Sequence, residues 1–171
     1  MNNFKKAMLT TVTLAGMAIG VNAHAAVDPS AVVVWTGKVP AVNSGENLLI
    51  TGMGGSLEAV TGSLAPNTDG TFVSPTLFLE ARLNEGDATS PVVGDLTAAN
   101  WTVRAADVAY GGSAQTDQDV TVQINGNDVE LNGTPLEESS IGITVTQSQV
   151  LAADVSGKDV QAAVTLMATS L

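Results

Sequence analysis

The 171-residue chain contains no cysteine and only one histidine, His24. Without cysteine, it can form neither a disulfide nor a Cys-His dyad nor a thiolate metal site. A Ser-His-Asp triad would have to use His24, which lies in a segment that we expect to be removed on export. We therefore predict that the mature protein is not an enzyme and that it holds no cofactor and no metal ion.

Basic residues are scarce as well. Six Lys and Arg residues oppose 17 Asp and Glu residues, which gives a formal net charge of −11. Lys5 and Lys6 lie in the same N-terminal segment as His24, so four basic residues would remain against 17 acidic ones, a charge of −13. Four scattered cations cannot build the basic surface that nucleic-acid phosphates or an anionic membrane require. Nucleic acid is therefore excluded as a partner.

The first 25 residues have the three regions of a secretory signal peptide in the correct order. Lys5 and Lys6 provide the positive region, residues 7–21 form an uncharged apolar core, and Ala23-His24-Ala25 supplies the small residues that a signal peptidase requires. This order fits a signal peptide better than the amphipathic helix of a cytosolic protein. We predict cleavage between Ala25 and Ala26, and hence a protein that folds outside the cytoplasm.

The chain after residue 25 is predicted to form a single all-β domain, because short runs rich in Val, Thr, Ile and Leu alternate with turns rich in Gly, Asn, Asp and Ser. Asn125-Gly126 is predicted to be a two-residue hairpin turn, since both residue types tolerate positive φ. Residues 147–154 are predicted to form a short helical turn. The predicted strands cover residues 31–39, 48–52, 57–63, 76–83, 101–109, 120–124, 128–131, 141–146 and 160–169.

Both ends of the predicted mature chain are apolar strands with a clear alternation. At the C-terminal end, the chain stops with an apolar strand and leaves nothing to cover the edge of that strand, which proteins normally avoid. An N-terminal strand from a neighbouring copy could cover this edge, and such a head-to-tail contact would build a filament. The residues that share one face are Val27, Pro29, Ala31, Val33 and Trp35 at the N-terminal end, and Val160, Ala162, Val164, Leu166 and Ala168 at the C-terminal end.

These features resemble the fimbrial subunits, or pilins, of the chaperone–usher pathway. The segment VVWTGKV at residues 33–39 is similar to the apolar-x-aromatic-x-Gly-x-Val pattern near the start of many such subunits. The version WTGKVP at residues 35–40 most resembles the major subunits of some enterobacterial colonisation-factor fimbriae. The chain departs from many pilins because it has no cysteine pair and no aromatic residue near its C-terminus.

The resemblance implies an incomplete immunoglobulin-like β-sandwich that a donor strand from a neighbouring subunit completes. It divides the chain into a signal peptide (1–25), a donor-strand extension (26–37) and a pilin domain (38–171). Val27, Ala31 and Val33 are the expected donor residues, and Val160, Ala162, Val164 and Leu166 line the expected acceptor groove. The implied partners are further copies of the chain, a periplasmic chaperone, an outer-membrane usher, a tip adhesin and a host receptor, and the implied location is the cell surface.

Two other classes of function compete with this interpretation. A carbohydrate-binding module or tip adhesin would stack Trp35 or Trp101 on a sugar ring, although each shares a face with aliphatic residues, as core tryptophans do. An enzyme would need converging carboxylates, for which Glu137-Glu138 and Asp117-x-Asp119 are the nearest pairs. Both pairs lie in polar, turn-like stretches typical of solvated charge. The glycines of residues 52–55 lack the lysine and the helix of a phosphate loop and are predicted to form a turn.

Overall fold

The computed structural model describes residues 30–34 and 45–171, and this part of the chain is all-β. Its only helical element is a single 3-10 turn at Met53–Gly55. The eleven strands of the described residues are β1 (Ser30–Val34), β2 (Leu48–Thr51), β3 (Phe72–Val73), β4 (Leu77–Asn84), β5 (Val93–Leu96), β6 (Ala99–Tyr110), β7 (Val120–Ile124), β8 (Asn127–Val129), β9 (Leu136–Glu138), β10 (Ser140–Gln147) and β11 (Val160–Ser170).

The strands form two sheets in which every pairing is antiparallel. The smaller sheet has the order β1-β11-β6-β9. The larger sheet has the order β2-β4-β10-β7-β8, with β3 paired to β10 and β5 paired to β4. The prediction of an all-β fold is confirmed.

One hydrophobic core lies between the two sheets, an arrangement consistent with a β-sandwich. The smaller sheet contributes Trp101, Val164 and Leu166, and the larger sheet contributes Leu79 and Ile143. Successive residues of β4 and of β11 alternate between buried and more exposed positions, because side chains of a strand point to opposite faces in turn. Each fully buried Leu or Ile side chain stabilises the fold by about 1.5–3 kcal/mol.

The strongest turn prediction is confirmed. Asn125 (φ 52°) and Gly126 (φ 80°) connect β7 to β8, and Ile124 pairs with Asn127 directly across the turn. Both central residues have positive φ, as a type I′ hairpin turn requires. The side-chain Oδ1 of Asn125 also accepts a 2.8 Å hydrogen bond from the Gly142 N–H, which ties the turn to β10.

Two secondary-structure predictions are wrong. Residues 57–63 form no strand, because the chain leaves β2 at the 3-10 turn and only Val60 of this segment packs against the core. Residues 147–154 form no helical turn, because their backbone N–H groups bind distant acceptors. Leu151 N donates to the Asp69 carbonyl (3.0 Å) and Ala152 N to the Asp117 carboxylate (2.7 Å). Sequence reasoning also missed the short strands β3, β5 and β9.

Candidate assembly surface at the edge of strand β11

β11 is the second strand of the smaller sheet, and its two neighbours differ greatly in extent. Along one side it pairs with β6 over almost its whole length, from Val160 opposite Tyr110 to Ser170 opposite Ala99. Along the other side it pairs with β1, the edge strand of this sheet. β1 is therefore the only described strand that covers this side of β11.

The register of β1 on β11 is continuous over five residue pairs. Ser30 lies opposite Met167, Ala31 opposite Leu166, and Val33 opposite Val164. Val32 lies opposite Thr165 and Val34 opposite Ala163. β1 thus ends before the first three residues of β11, at 160–162.

The structure places all four predicted groove residues on one face of β11. Val160 is buried, and Ala162, Val164 and Leu166 have no measurable exposed surface. The intervening residues Gln161, Ala163 and Thr165 lie on the opposite, more exposed face. The alternation predicted from the sequence is confirmed, whereas the role of these residues in a groove stays a prediction.

The predicted donor residues are only partly within the described chain. The backbone of Ala31 and Val33 lies in β1, opposite Leu166 and Val164, so two predicted donor positions meet two predicted acceptor positions. Val27 and the predicted cleavage pair Ala25 and Ala26 lie outside the described residues, as do Trp35 and the rest of the 35–39 motif.

On the outer face of the smaller sheet, the basic side chain of Arg104 contacts Met167, the residue that pairs with Ser30 of β1. The β6–β11 register shifts between Thr165 and Leu166. The Arg104 guanidinium donates to Asn132 Oδ1 (2.9 Å) and to the Met167 thioether sulfur (3.2 Å). Arg104 therefore holds β11 in place at Met167, opposite the first residue of β1.

The carboxylates considered as catalytic candidates either accept hydrogen bonds from their own chain or lie exposed on β9. Asp117 Oδ2 accepts from the Ala152 N–H (2.7 Å), and Asp119 Oδ2 accepts from Ser148 Oγ (2.7 Å), so both fasten the connection between β10 and β11. Glu137 and Glu138 are exposed on β9, where a loop was expected. Across residues 30–34 and 45–171, no three His, Cys, Asp or Glu side chains come close enough to share a metal ion.

The structure settles the interpretation of Trp101 in favour of the core. Its side chain is 1% exposed, and its indole Nε1 donates to the Glu138 carbonyl at 2.8 Å. The buried ring cannot stack on a sugar, and its hydrogen bond joins β6 to β9. Sequence reasoning placed this residue in the core but gave no indication of its polar partner.

The glycine-rich turn at residues 52–55 binds a carboxylate of its own chain, which sequence reasoning missed. Gly54 N donates a 3.0 Å hydrogen bond to Glu80 Oε1 and Gly55 N donates one of 3.0 Å to Glu80 Oε2, which also forms a 2.8 Å ion pair with Arg82 Nε. Both glycines have positive φ, which turns their N–H groups towards one point. The Glu80-x-Arg82 spacing on one face of β4 was the available signal.

Burial raises the pKa of Glu80, but the Gly54 N–H, the Arg82 guanidinium and the Gly55 N–H together outweigh burial and hold the pKa below its ordinary value. The carboxylate is thus ionised at neutral pH and fully paired.

A second polar cluster closes the end of the sandwich near the start of β11. The Tyr110 hydroxyl donates to the Gly70 carbonyl, and the ring of Tyr110 is buried. Burial, followed by the nearby negative charge of Asp69, raises the pKa of Tyr110. Gly70 has a φ of 88°, and a Cβ there would lie 2.5 Å from Leu151, so glycine is required at this position.

Comparisons of the chain with protein-family models, with curated proteins and with solved structures give no match. Within the part of the chain that the structure describes, no helix is long and apolar enough to cross a membrane.

Proposed function

We propose that the chain is a structural subunit of a surface fimbria and that it polymerises by donor-strand exchange. In this proposal, residues 26–37 of one copy form an extended donor strand, and the edge of β11 in the next copy accepts it. The accepting domain is an immunoglobulin-like sandwich whose β11 edge takes a donor strand once its own β1 has left.

The observation that carries the proposal is the position of β1. It is an edge strand that runs antiparallel along β11, and it belongs to the segment that the sequence predicts to be the donor. If β1 departed, the N–H and C=O groups on that side of β11 would lose their partners. An unpaired edge of this kind readily accepts a strand from another molecule.

The side chains of β11 support the same conclusion. Ala162, Val164, Leu166 and Ala168 form a continuous apolar face that is fully buried when β1 is in place. Losing β1 would leave this face beside an open edge, and apolar surface next to unpaired backbone strongly favours recapture of a strand. The donor positions Ala31 and Val33 are opposite Leu166 and Val164, which gives the exchange a defined register.

The remaining partners follow from the same mechanism. Whenever β1 leaves β11, the open edge would be prone to aggregate during export, so a periplasmic chaperone would cover β11 until an outer-membrane usher delivers the next copy. Adhesion would then be a property of the assembled fibre, with a tip adhesin and a host receptor at its end. The formal charge of −13 after removal of residues 1–25 keeps free subunits apart in solution.

The test is a charge placed on the donor face of β1. We expect Val33→Asp to lower the yield of fibres at least tenfold, because an ionised carboxylate cannot enter an apolar groove without a large desolvation penalty. The adjacent variant Val32→Asp is the matched control, since neighbouring residues of a strand face opposite sides. Fibre yield is measured by sedimentation and electron microscopy of cell-surface preparations.

Chaperone binding separates a failure of assembly from a failure of folding. Val33→Asp should still co-purify with a periplasmic chaperone, because the chaperone contacts β11 and not the donor strand. Fibres of normal yield and length from Val33→Asp would refute the assignment of the donor segment.

A further inference from the structure

The β1 and β11 strands that pair in the structure belong to the same chain. We propose that the resting form of the subunit is a closed monomer, in which β1 occupies the β11 edge of its own domain, and that assembly is a swap of β1 onto the next copy. The swap rests on the function proposed above, whereas the closed monomer does not.

The connection between β1 and the rest of the domain permits this closure. Residues 35–44 separate the end of β1 at Val34 from Gly45, where the described chain resumes. Ten residues reach roughly 33–36 Å when extended. The connection can therefore lead β1 back to β11 of its own chain, as the observed register requires.

Closed and swapped forms use the same strand, the same edge and the same five register pairs. Their backbone hydrogen bonds are therefore equivalent, which is the condition for a domain swap between identical copies. What differs between the two forms is the connection, the concentration of neighbours, and any contact that only neighbouring domains make.

Concentration favours the closed form in dilute solution. A strand tethered to its acceptor edge by ten residues experiences an effective concentration of the order of millimolar. At micromolar subunit concentration, pairing within the chain therefore outcompetes pairing between chains by about a thousandfold. The closed monomer is protected from premature polymerisation, and fibres form when subunits are concentrated or when an assembly factor holds β1 away.

A pair of introduced cysteines can show whether β1 occupies β11 of its own chain or β11 of a neighbouring chain. Val32 and Thr165 are opposite one another, and Thr165 lies on the more exposed face of β11, so both can be replaced with little effect on the core. The chain has no other cysteine. The control pair is Val32→Cys with Gln161→Cys, four residues further along β11 and about 13 Å away, which is too far for a disulfide.

The double variant Val32→Cys/Thr165→Cys is expressed from the full 171-residue sequence. It is then oxidised with oxidised glutathione at a low micromolar concentration of the protein. We expect a monomer that contains an internal disulfide, identified by mass spectrometry of the linked peptides, and at least tenfold less internal linkage in the control pair. The oxidised chain should fail to polymerise when concentrated, and reduction should restore polymerisation.

The outcomes distinguish the closed monomer from the fibre function. A covalent ladder of chains in dilute solution would overturn the closed monomer while supporting donor exchange. An internal link followed by no polymer after reduction and concentration would support the closed monomer and contradict the fibre function. The absence of any link would overturn both, because β1 would then not lie on β11 at all.

Discussion

At the scale of single residues, the described interior is stabilised by polar side chains with complete hydrogen bonding. Gln147 is fully buried, yet its Oε1 accepts from Asp119 N (2.8 Å) and its Nε2 donates to the Gln149 carbonyl (2.7 Å). Among the described residues, no buried side-chain nitrogen or oxygen lacks a partner. Removing one partner of such a bond costs about 1–3 kcal/mol, because the other group remains buried and unpaired.

Tyr110 gives the most direct test at this scale, because it is the only tyrosine of the chain. Its pKa is raised by burial and by Asp69, so we expect tyrosinate absorbance in the native protein to appear at a pH above that of the urea-unfolded chain, which titrates near 10. Since the folded-state pKa is the higher one, this contribution to stability is complete below pH 10 and is lost as the pH rises through the folded-state pKa.

Tyr110→Phe should abolish the absorbance change and lower the free energy of unfolding at pH 7 by about 1–2 kcal/mol, because the Gly70 carbonyl loses its donor. Identical titration curves for native and unfolded protein would contradict the buried environment of this hydroxyl.

At the scale of elements, Glu80 joins three parts of the larger sheet. It lies on β4, it accepts hydrogen bonds from the 3-10 turn after β2, and its partner Arg82 donates to the Gly94 carbonyl of β5 at 3.2 Å. This side of the sheet therefore depends on one ionised carboxylate. The arrangement explains why the chain turns sharply after β2 instead of continuing as a strand.

We expect Glu80→Gln to lower the free energy of unfolding by about 1–2 kcal/mol at pH 7, because an amide NH₂ cannot accept a hydrogen bond from Gly54 or Gly55. The pKa of Glu80 is lower in the folded state than the ordinary value, so its stabilising effect is present above the unfolded-state pKa and disappears as the pH falls through the folded-state pKa. Urea unfolding at pH 7 and at pH 3 measures both effects.

The exposed carboxylate Glu137 on β9 provides the control, and Glu137→Gln should change stability by less than about 0.5 kcal/mol at either pH. A difference between wild type and Glu80→Gln that is as large at pH 3 as at pH 7 would refute the role of the ionised carboxylate.

The sequence was sufficient to predict the long strands and missed three of the short ones. β7 coincides with its predicted range, and β4, β6, β10 and β11 differ from theirs by at most two residues at either end, because each has enough alternating apolar residues to define a buried face. β3, β5 and β9 have two to four residues each. Such strands depend on a partner across the sheet, and that information is not local.

The candidate site was predictable to the same extent. Alternation in β11 identified Val164 and Leu166 as residues of one face, and the structure confirms their burial. The pairing of β1 with β11 of the same chain was not predictable, because alternation describes a face and does not name the strand beside it. The carboxylate-binding turn was missed because its donors are backbone N–H groups, and neither the glycines nor the Glu80-x-Arg82 spacing by itself places the turn beside β4.

At the scale of the whole molecule, the proposed assembly depends on one strand, β1. The described domain keeps its core between two sheets, and β1 completes one edge of the smaller sheet. In the proposed mechanism, the same strand closes its own domain in the monomer and joins two domains in the fibre. A fibre subunit would need both properties, since it must remain monomeric during export and must polymerise at the surface.

The most direct test of this account fills the β11 edge permanently and measures fibre assembly. A copy of residues 26–37 is fused behind Leu171 through a short flexible linker. Continuing the observed antiparallel register would bring the first residue of the copy opposite Leu171, so a tight hairpin suffices. The control fusion carries Asp at the copied positions of Ala31 and Val33.

Size exclusion and electron microscopy compare the two fusions and the unmodified chain over a range of concentrations. The account predicts that the donor-copy fusion stays monomeric at every concentration and melts at a higher temperature, while the control fusion and the unmodified chain form fibres when concentrated. Fibres from the donor-copy fusion, in the same yield as from the unmodified chain, would contradict assembly through the β11 edge.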